Sequence, residues 1–179
     1  MSLVERPHGP ALPRAFAALL LGLALSGCIQ PLYGPLSAGG DVASELQAIA
    51  VEPIPNRLGH YLGNELIFGF NGTGSQVPSK YRLIVTVTEN VQTPLLDTVS
   101  GYPSAANVVV NADYRLMPVG AVGGTEPITK GQATVVASYD RTSQRFSNLR
   151  AARDAEIRDA KRLADEIRTR VAAAMAARG

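Results

Sequence analysis

Apolar and polar positions alternate most cleanly over residues 106–116. There Val108, Val110, Tyr114 and Leu116 point one way, and Asn107, Asn111, Asp113 and Arg115 point the other. Strict alternation marks a strand with one face buried and one in water. Residues 81–87 (YRLIVTV) are β-branched and predict a second such strand. Tyr81, Leu83, Val85 and Val87 share one face, and Arg82, Ile84 and Thr86 share the other. After a Gly-rich turn, residues 128–139 predict another strand, in which Ala133, Val135, Ala137 and Tyr139 fall on one side. The small residues among them would let a helix approach closely. A first strand is predicted within residues 46–53, stopped by Pro53 and Pro55. A long connection with Pro94, Gly101 and Pro103 separates the second strand from the third.

Two segments carry the helical period instead. Behind Asn56, a good N-cap type, Leu58, Tyr61, Leu62, Leu66 and Phe70 recur at spacings of three and four. Gly59, Gly63 and Gly69 weaken this helix by roughly 1 kcal/mol each relative to Ala, so it must rely on packing. The second segment, residues 148–177, is almost pure helix former. Its expected stripe is Leu149, Ile157, Ala160, Ala164, Ile167, Val171 and Ala174. Asp154–Arg158 and Glu166–Arg170 are acid-before-base pairs at i, i+4, and the charge run reads as a solvated, salt-bridged face. The order β-α-β-β-β-α predicts an α+β two-layer sandwich. A four-stranded, mostly antiparallel sheet would be covered on one face by two helices.

The amino terminus follows a different rule. Arg6 and Arg14 outweigh Glu5, an uncharged apolar run (AFAALLLGLAL, residues 15–25) follows, and small Ser26 and Gly27 precede Cys28. This is the form of a secretory signal. It is too short for a membrane span, which takes roughly 20 residues. The LSGC step resembles the lipobox of bacterial lipoproteins. Cys28 is the sole cysteine, and its thiol alone can form the thioether that diacylglycerol requires. Residues 1–27 are therefore expected to be removed and Cys28 to carry lipid, including palmitate. Two or more acyl chains hold a protein firmly on a bilayer. A lone cysteine allows no internal disulfide. Residues 28–45, rich in Pro and Gly, read as a flexible lipid-anchored tether, and residues 46–179 as one domain. Ile29, rather than aspartate, follows the cysteine, which favours the outer membrane, on its periplasmic side.

Without Arg6, Arg14 and Glu5 the chain holds 15 basic and 14 acidic residues, a balance that does not support nucleic-acid binding. His8 leaves with the signal, so His60 is the only histidine of the domain. With no cysteine or second histidine beside it, a zinc-type cluster is not expected, and no nucleophile motif surrounds it. No catalytic residue, metal or cofactor is expected beyond the covalent lipid on Cys28.

Several segments, in order, resemble the LptE family of lipopolysaccharide-assembly lipoproteins in its alphaproteobacterial form. They are LSGCIQPLYGP around Cys28 and IAVEPIPNRLGHYLGNEL at residues 49–66, with Arg57, Leu62, Asn64 and Leu66 in family-like positions. The strand at Tyr81 and DAEIRDAKRLADEIRTRV at residues 154–171 complete the set. Order and spacing over nearly the whole chain carry the resemblance. It implies two helices on a four-stranded sheet, and a non-enzymatic plug within the outer-membrane barrel LptD that helps deliver lipopolysaccharide. The polar row Asn107, Asn111, Arg115, Lys130 and Gln132 would then face the barrel, as a polar lumen requires; an ordinary solvated sheet face is the other reading. In relatives, basic contacts to lipopolysaccharide lie at the tip between the second and third strands and beyond the fourth. Residues 92–104 hold no Lys or Arg here, which leaves Arg141, Arg145 and Arg150 as candidates, or as plain connector residues. The alternative function is another periplasm-facing envelope lipoprotein of similar fold, a small-ligand carrier or scaffold.

Overall fold

The computed structural model describes residues 41–72, 77–96 and 103–178. The signal, Cys28 and most of the 28–45 tether lie outside the described residues. Seven elements follow one another: α1 (Val42–Gln47), β1 (Ile49–Val51), α2 (Asn56–Asn71), β2 (Tyr81–Leu96), β3 (Pro103–Pro118), β4 (Thr129–Asp140) and α3 (Arg145–Ala176). The strands form one sheet in the order β1-β2-β3-β4. β1 runs parallel to β2, and the other two pairings are antiparallel. A parallel neighbour needs a crossover connection, and α2 provides it. The α+β sandwich expected from the sequence is therefore present, with one helix more.

That extra helix, α1, occupies the end of the expected tether and the start of the expected first strand. Asp41 accepts a hydrogen bond from the Ala43 N–H at 3.2 Å, and Val42 and Leu46, one turn apart, are both buried. Glu45 fastens α1 to the sheet, accepting from Lys80 Nζ and Tyr81 Oη, each at 2.7 Å. Those bonds hold its carboxyl below the usual range. β1 shrinks to three residues because Pro53 and Pro55 follow at once.

The three long strands obey the alternation read from the sequence. Leu83, Val108, Val110, Leu116, Ala133 and Ala137 are buried on the helix side. β2 and β3 are longer than expected, each 16 residues. Cross-strand pairing with β3 carries β2 past the polar stretch at Glu89–Asn90, with register shifts near Pro94. Pairing thus supplied what local sequence did not signal.

Of the expected stripe, α2 buries Leu58, Leu62, Leu66 and Phe70, each such side chain contributing about 1.5–3 kcal/mol, and leaves Tyr61 half-buried. Asn56 does not act as the N-cap. It is the first helical residue, with φ of 72°, a left-handed conformation that asparagine tolerates better than most residues. The cap position falls to Pro55, which makes no side-chain bond.

On α3 the buried face is Ala155, Glu156, Asp159, Ala160, Leu163, Ala164, Ile167, Val171, Ala172 and Met175. This corrects the expected stripe. Ile157 lies outside it, and Leu149 lies beyond the stretch covered by the sheet, so both are exposed; Ala174 is only half-buried. The expected ion pairs Asp154–Arg158 and Glu166–Arg170 are present, but the charged face is not merely solvated. Arg158 donates to the Ser138 carbonyl at 2.9 Å and Arg162 to the Val136 carbonyl at 3.3 Å. Arg170 donates to the Gln132 carbonyl, and Arg178 to that of Ile128 at 3.4 Å. Arginines of α3 therefore cap outward carbonyls of the edge strand β4, and Arg178 just after the helix caps the residue that enters that strand, a common way of closing a sheet edge.

Gly59 marks the tightest approach of α2 to the β1–α2 connection. A Cβ there would lie 2.7 Å from Ile54 Cγ2 and 2.8 Å from the Ile54 carbonyl oxygen. At Gly63 the nearest atom would be 4.0 Å away. In urea unfolding, Gly59→Ala should cost about 1–3 kcal/mol through overpacking. Gly63→Ala should gain up to about 1 kcal/mol from helix propensity; equal effects at the two positions would contradict this packing.

Candidate functional site

Two surfaces hold the residues singled out from the sequence. The first is the end of the domain where β4 passes into α3. Arg141 closes β4, its N–H donating to the Ser104 carbonyl at 2.9 Å. The turn that follows is fixed by Asn148, which accepts from the Thr142 N–H and donates to the Thr142 carbonyl, both at 2.8 Å. The first turns of α3 follow from this turn, with Arg145, Phe146, Leu149, Arg150 and Arg153 in solvent. Phe146 is 72% exposed and Leu149 60%, and the Arg150 guanidinium lies 5.7 Å from the centre of the Phe146 ring. None of Arg141, Arg145 and Arg150 forms an ion pair among the described residues. Cations without carboxylate partners beside exposed apolar side chains suit an anionic amphiphile. The structure brings the three predicted arginines to one end and adds Phe146 and Leu149, which the sequence reading had not assigned to a site.

The second surface is the sheet face opposite the helices. Asn107, Asn111, Arg115, Lys130 and Gln132 all lie on it, since β3–β4 pairing sets Asn107 by Ser138, Asn111 by Thr134 and Arg115 by Lys130. The row is not uniform. Asn107 and Asn111 accept hydrogen bonds from Ser138 Oγ at 2.8 Å and Thr134 Oγ1 at 2.7 Å, so both oxygens are already engaged. Arg115 and Lys130 stand directly opposite each other, a like-charge pair that is locally unfavourable. With Arg82, Ile84 and Met117 they form the floor of a cleft of roughly 960 Å³, walled by residues 121–125 of the β3–β4 loop. Arg82 is tied to Glu52 at 3.0 Å. The Gly-rich loop reaches φ of 81° at Gly120 and 96° at Gly124, values that favour glycine.

A third cluster escaped the sequence reading. Arg57, in the first turn of α2, grips Glu156 of α3 with two bonds, Nε–Oε2 at 2.8 Å and Nη2–Oε1 at 2.5 Å. Glu156 is 4% exposed and Asp159, one turn on, 0%. The available signal was their spacing with Leu163, which places both acids within the buried stripe, but their charge pointed outward. Neither Asp159 oxygen has a hydrogen-bond partner among the described residues. Burial pushes its pKa up to about 6, against the opposing pull of the Ala137 backbone, Arg162 and Arg158. Glu89 of β2 is also raised, by burial and by the nearby Glu156 charge.

His60 stands exposed on α2, its Nε2 3.3 Å from Asn64 Nδ2. Among the described residues no three metal-ligating side chains converge.

The family model LptE, lipopolysaccharide-assembly, matches residues 46–171 of the chain. No curated protein matches it significantly. Among solved structures, a protein described as a lipoprotein of Caulobacter crescentus CB15 superposes with a TM-score of 0.60 at 23% identity, covering 73% of this chain and 92% of its own. Rare lipoprotein B of Shewanella oneidensis aligns at a TM-score of 0.39 and 13% identity, over 69% of this chain and 86% of its own. The first supports the fold.

Asp159 supplies a pH test. Its folded pKa is raised, so the folded state prefers the neutral form. Its destabilising effect is absent below the ordinary value of 3.8, builds as pH rises from there to about 6, and is fully present above that. Asp159→Asn should therefore add about 1–3 kcal/mol of stability at about pH 7.5 and little at about pH 4. A pH-independent difference in denaturant unfolding would show that Asp159 is not held in this state.

Proposed function

Because the chain belongs to the LptE lipopolysaccharide-assembly family, we propose that it is an outer-membrane lipoprotein, anchored through Cys28, that partners the LptD barrel. In this reading it plugs the barrel from the periplasmic side, assists passage of lipopolysaccharide, and performs no covalent chemistry.

The observation that carries the reading is the projecting start of α3. Lipopolysaccharide presents phosphates and acyl chains together. Arg141, Arg145 and Arg150 offer charge-assisted hydrogen bonds to the first, and Phe146 and Leu149 offer apolar surface to the second. The Asn148 bonds fix the backbone turn that carries these residues, which lowers the ordering cost of binding. The outer sheet face serves the barrel. Asn107 and Asn111 are engaged with Ser138 and Thr134, so Arg115, Lys130 and Gln132 remain as its polar contacting groups.

Depleting the protein should lower lipopolysaccharide at the cell surface; an unchanged surface would support a carrier or scaffold instead. In living cells, photocrosslinkers at Asn111 should capture the barrel, and those at Arg145 lipopolysaccharide. Replacing Arg145 and Arg150 together with Glu should weaken binding to purified lipopolysaccharide by about tenfold, leaving thermal unfolding unchanged because both side chains are exposed. Undiminished binding would remove this end of the domain from the proposal.

A further inference from the structure

The two edges of the sheet are treated in opposite ways. β4 is closed by guanidinium groups of α3, as described. β2 is not: β1 covers it only at Tyr81, Arg82 and Leu83. Among the described residues no strand pairs with β2 on that side beyond Leu83.

The phase of the exposed groups follows from one hydrogen bond. The Glu52 N–H donates to the Leu83 carbonyl at 2.9 Å, so the backbone groups of Leu83 face β1. Successive residues alternate in direction, so Val85, Val87, Glu89 and Val91 turn their N–H and C=O groups to the same side, where no described strand lies. Their side chains fall on the helix face, with Val85. Toward the far end that face opens, and Glu89 and Val91 reach solvent, Val91 being 50% exposed. Pro53 and Pro55 prevent β1 from continuing along this line. A long, β-branched edge with no described strand beside it is an uncommon hazard in a native protein unless something pairs with it.

We infer that this edge of β2 receives an extended strand from a partner protein, one that places a basic residue opposite Glu89 between apolar residues opposite Val87 and Val91. The backbone groups set the mode, strand addition in line with β1. The side chains set the specificity. Glu89 lies beside Glu156, whose counter-charge Arg57 is already gripped in two bonds, so negative charge is in excess where the new strand would run. A second copy of this chain does not meet that need. Antiparallel self-pairing centred on this stretch sets Glu89 against its own copy, Val87 or Val91, so a second copy brings the carboxylate no new cation in any of these registers. The inference concerns an edge separate from both surfaces described above, so it stands apart from the reading of lipid and barrel contacts.

The test follows amide exchange by NMR in the full, processed chain. The probe is a blocked heptapeptide alternating threonine with valine, arginine and valine; its comparator carries glutamate in place of arginine. In the chain alone, the amides of Val85, Val87, Glu89 and Val91 should exchange faster than those of Thr86, Thr88 and Asn90. The arginine peptide should slow the first set alone and bind roughly fivefold more tightly than the glutamate peptide. Glu89→Arg should reverse that preference. Val91→Pro should abolish binding while sparing the fold, because proline suits an edge position whose N–H points outward. Four results would each overturn the inference: no binding, equal binding of the two peptides, slow exchange at all seven amides beforehand, or protection that grows with protein concentration.

Discussion

The fold depends on how much α3 covers. A sheet with one apolar face needs a lid, and an edge strand needs partners for its outward carbonyls. The same 32 residues meet both demands. Leu163, Ala164, Ile167 and Val171 bury the face, and the small side chains of Ala133 and Ala137 on β4 let the helix settle low enough to do so. From that height Arg158, Arg162 and Arg170 reach over β4 and satisfy its backbone. A bulkier β4 would lift the helix, and the arginines would then reach only water. The packing of small residues and the capping of the edge are thus one arrangement.

What the sequence disclosed follows from how local each signal is. The alternation in β3, the small residues of β4 and the apolar stripe of α2 are set by nearest neighbours, and the structure keeps all three. The far half of β2 carries no such signal, because Glu89, Asn90 and Gln92 are held as strand by β3 rather than by their own preference. α1 has only one turn of periodicity, Val42 and Leu46, and its hold on the sheet comes from Lys80 and Tyr81, more than thirty residues away. Glu156 and Asp159 mislead for another reason. Charge is ordinarily an outward mark, and only the guanidinium of Arg57, 99 residues from Glu156, makes the burial of Glu156 tolerable. Asn56 has the composition of a cap but sits one residue too far along, in a left-handed turn.

The candidate surfaces were legible to different depths. Arg115 and Lys130 could be set on one face from alternation alone, but their direct opposition needed the register of β3 against β4. Arg145 and Arg150 could be named, yet Phe146 and Leu149 beside them could not. Whether an apolar residue at a helix start is covered depends on where the sheet ends. Here α3 outruns the sheet, and its core-facing stripe continues into solvent. The polar row shows the opposite lesson. Asn107 and Asn111 look free in sequence, but cross-strand hydroxyls already hold them, which narrows the contacting groups to fewer positions.

The clasp of Glu45 on Lys80 and Tyr81 also fixes a direction. It holds the described start of the chain at the end of the body where α3 finishes, while Arg145 lies at the other end of that helix. At 1.5 Å per residue the helix sets these ends about 45 Å apart. A pull transmitted through Asp41 would therefore be taken up by the sheet at Lys80 and Tyr81, leaving the arginine-bearing start of α3 a whole helix length from the load.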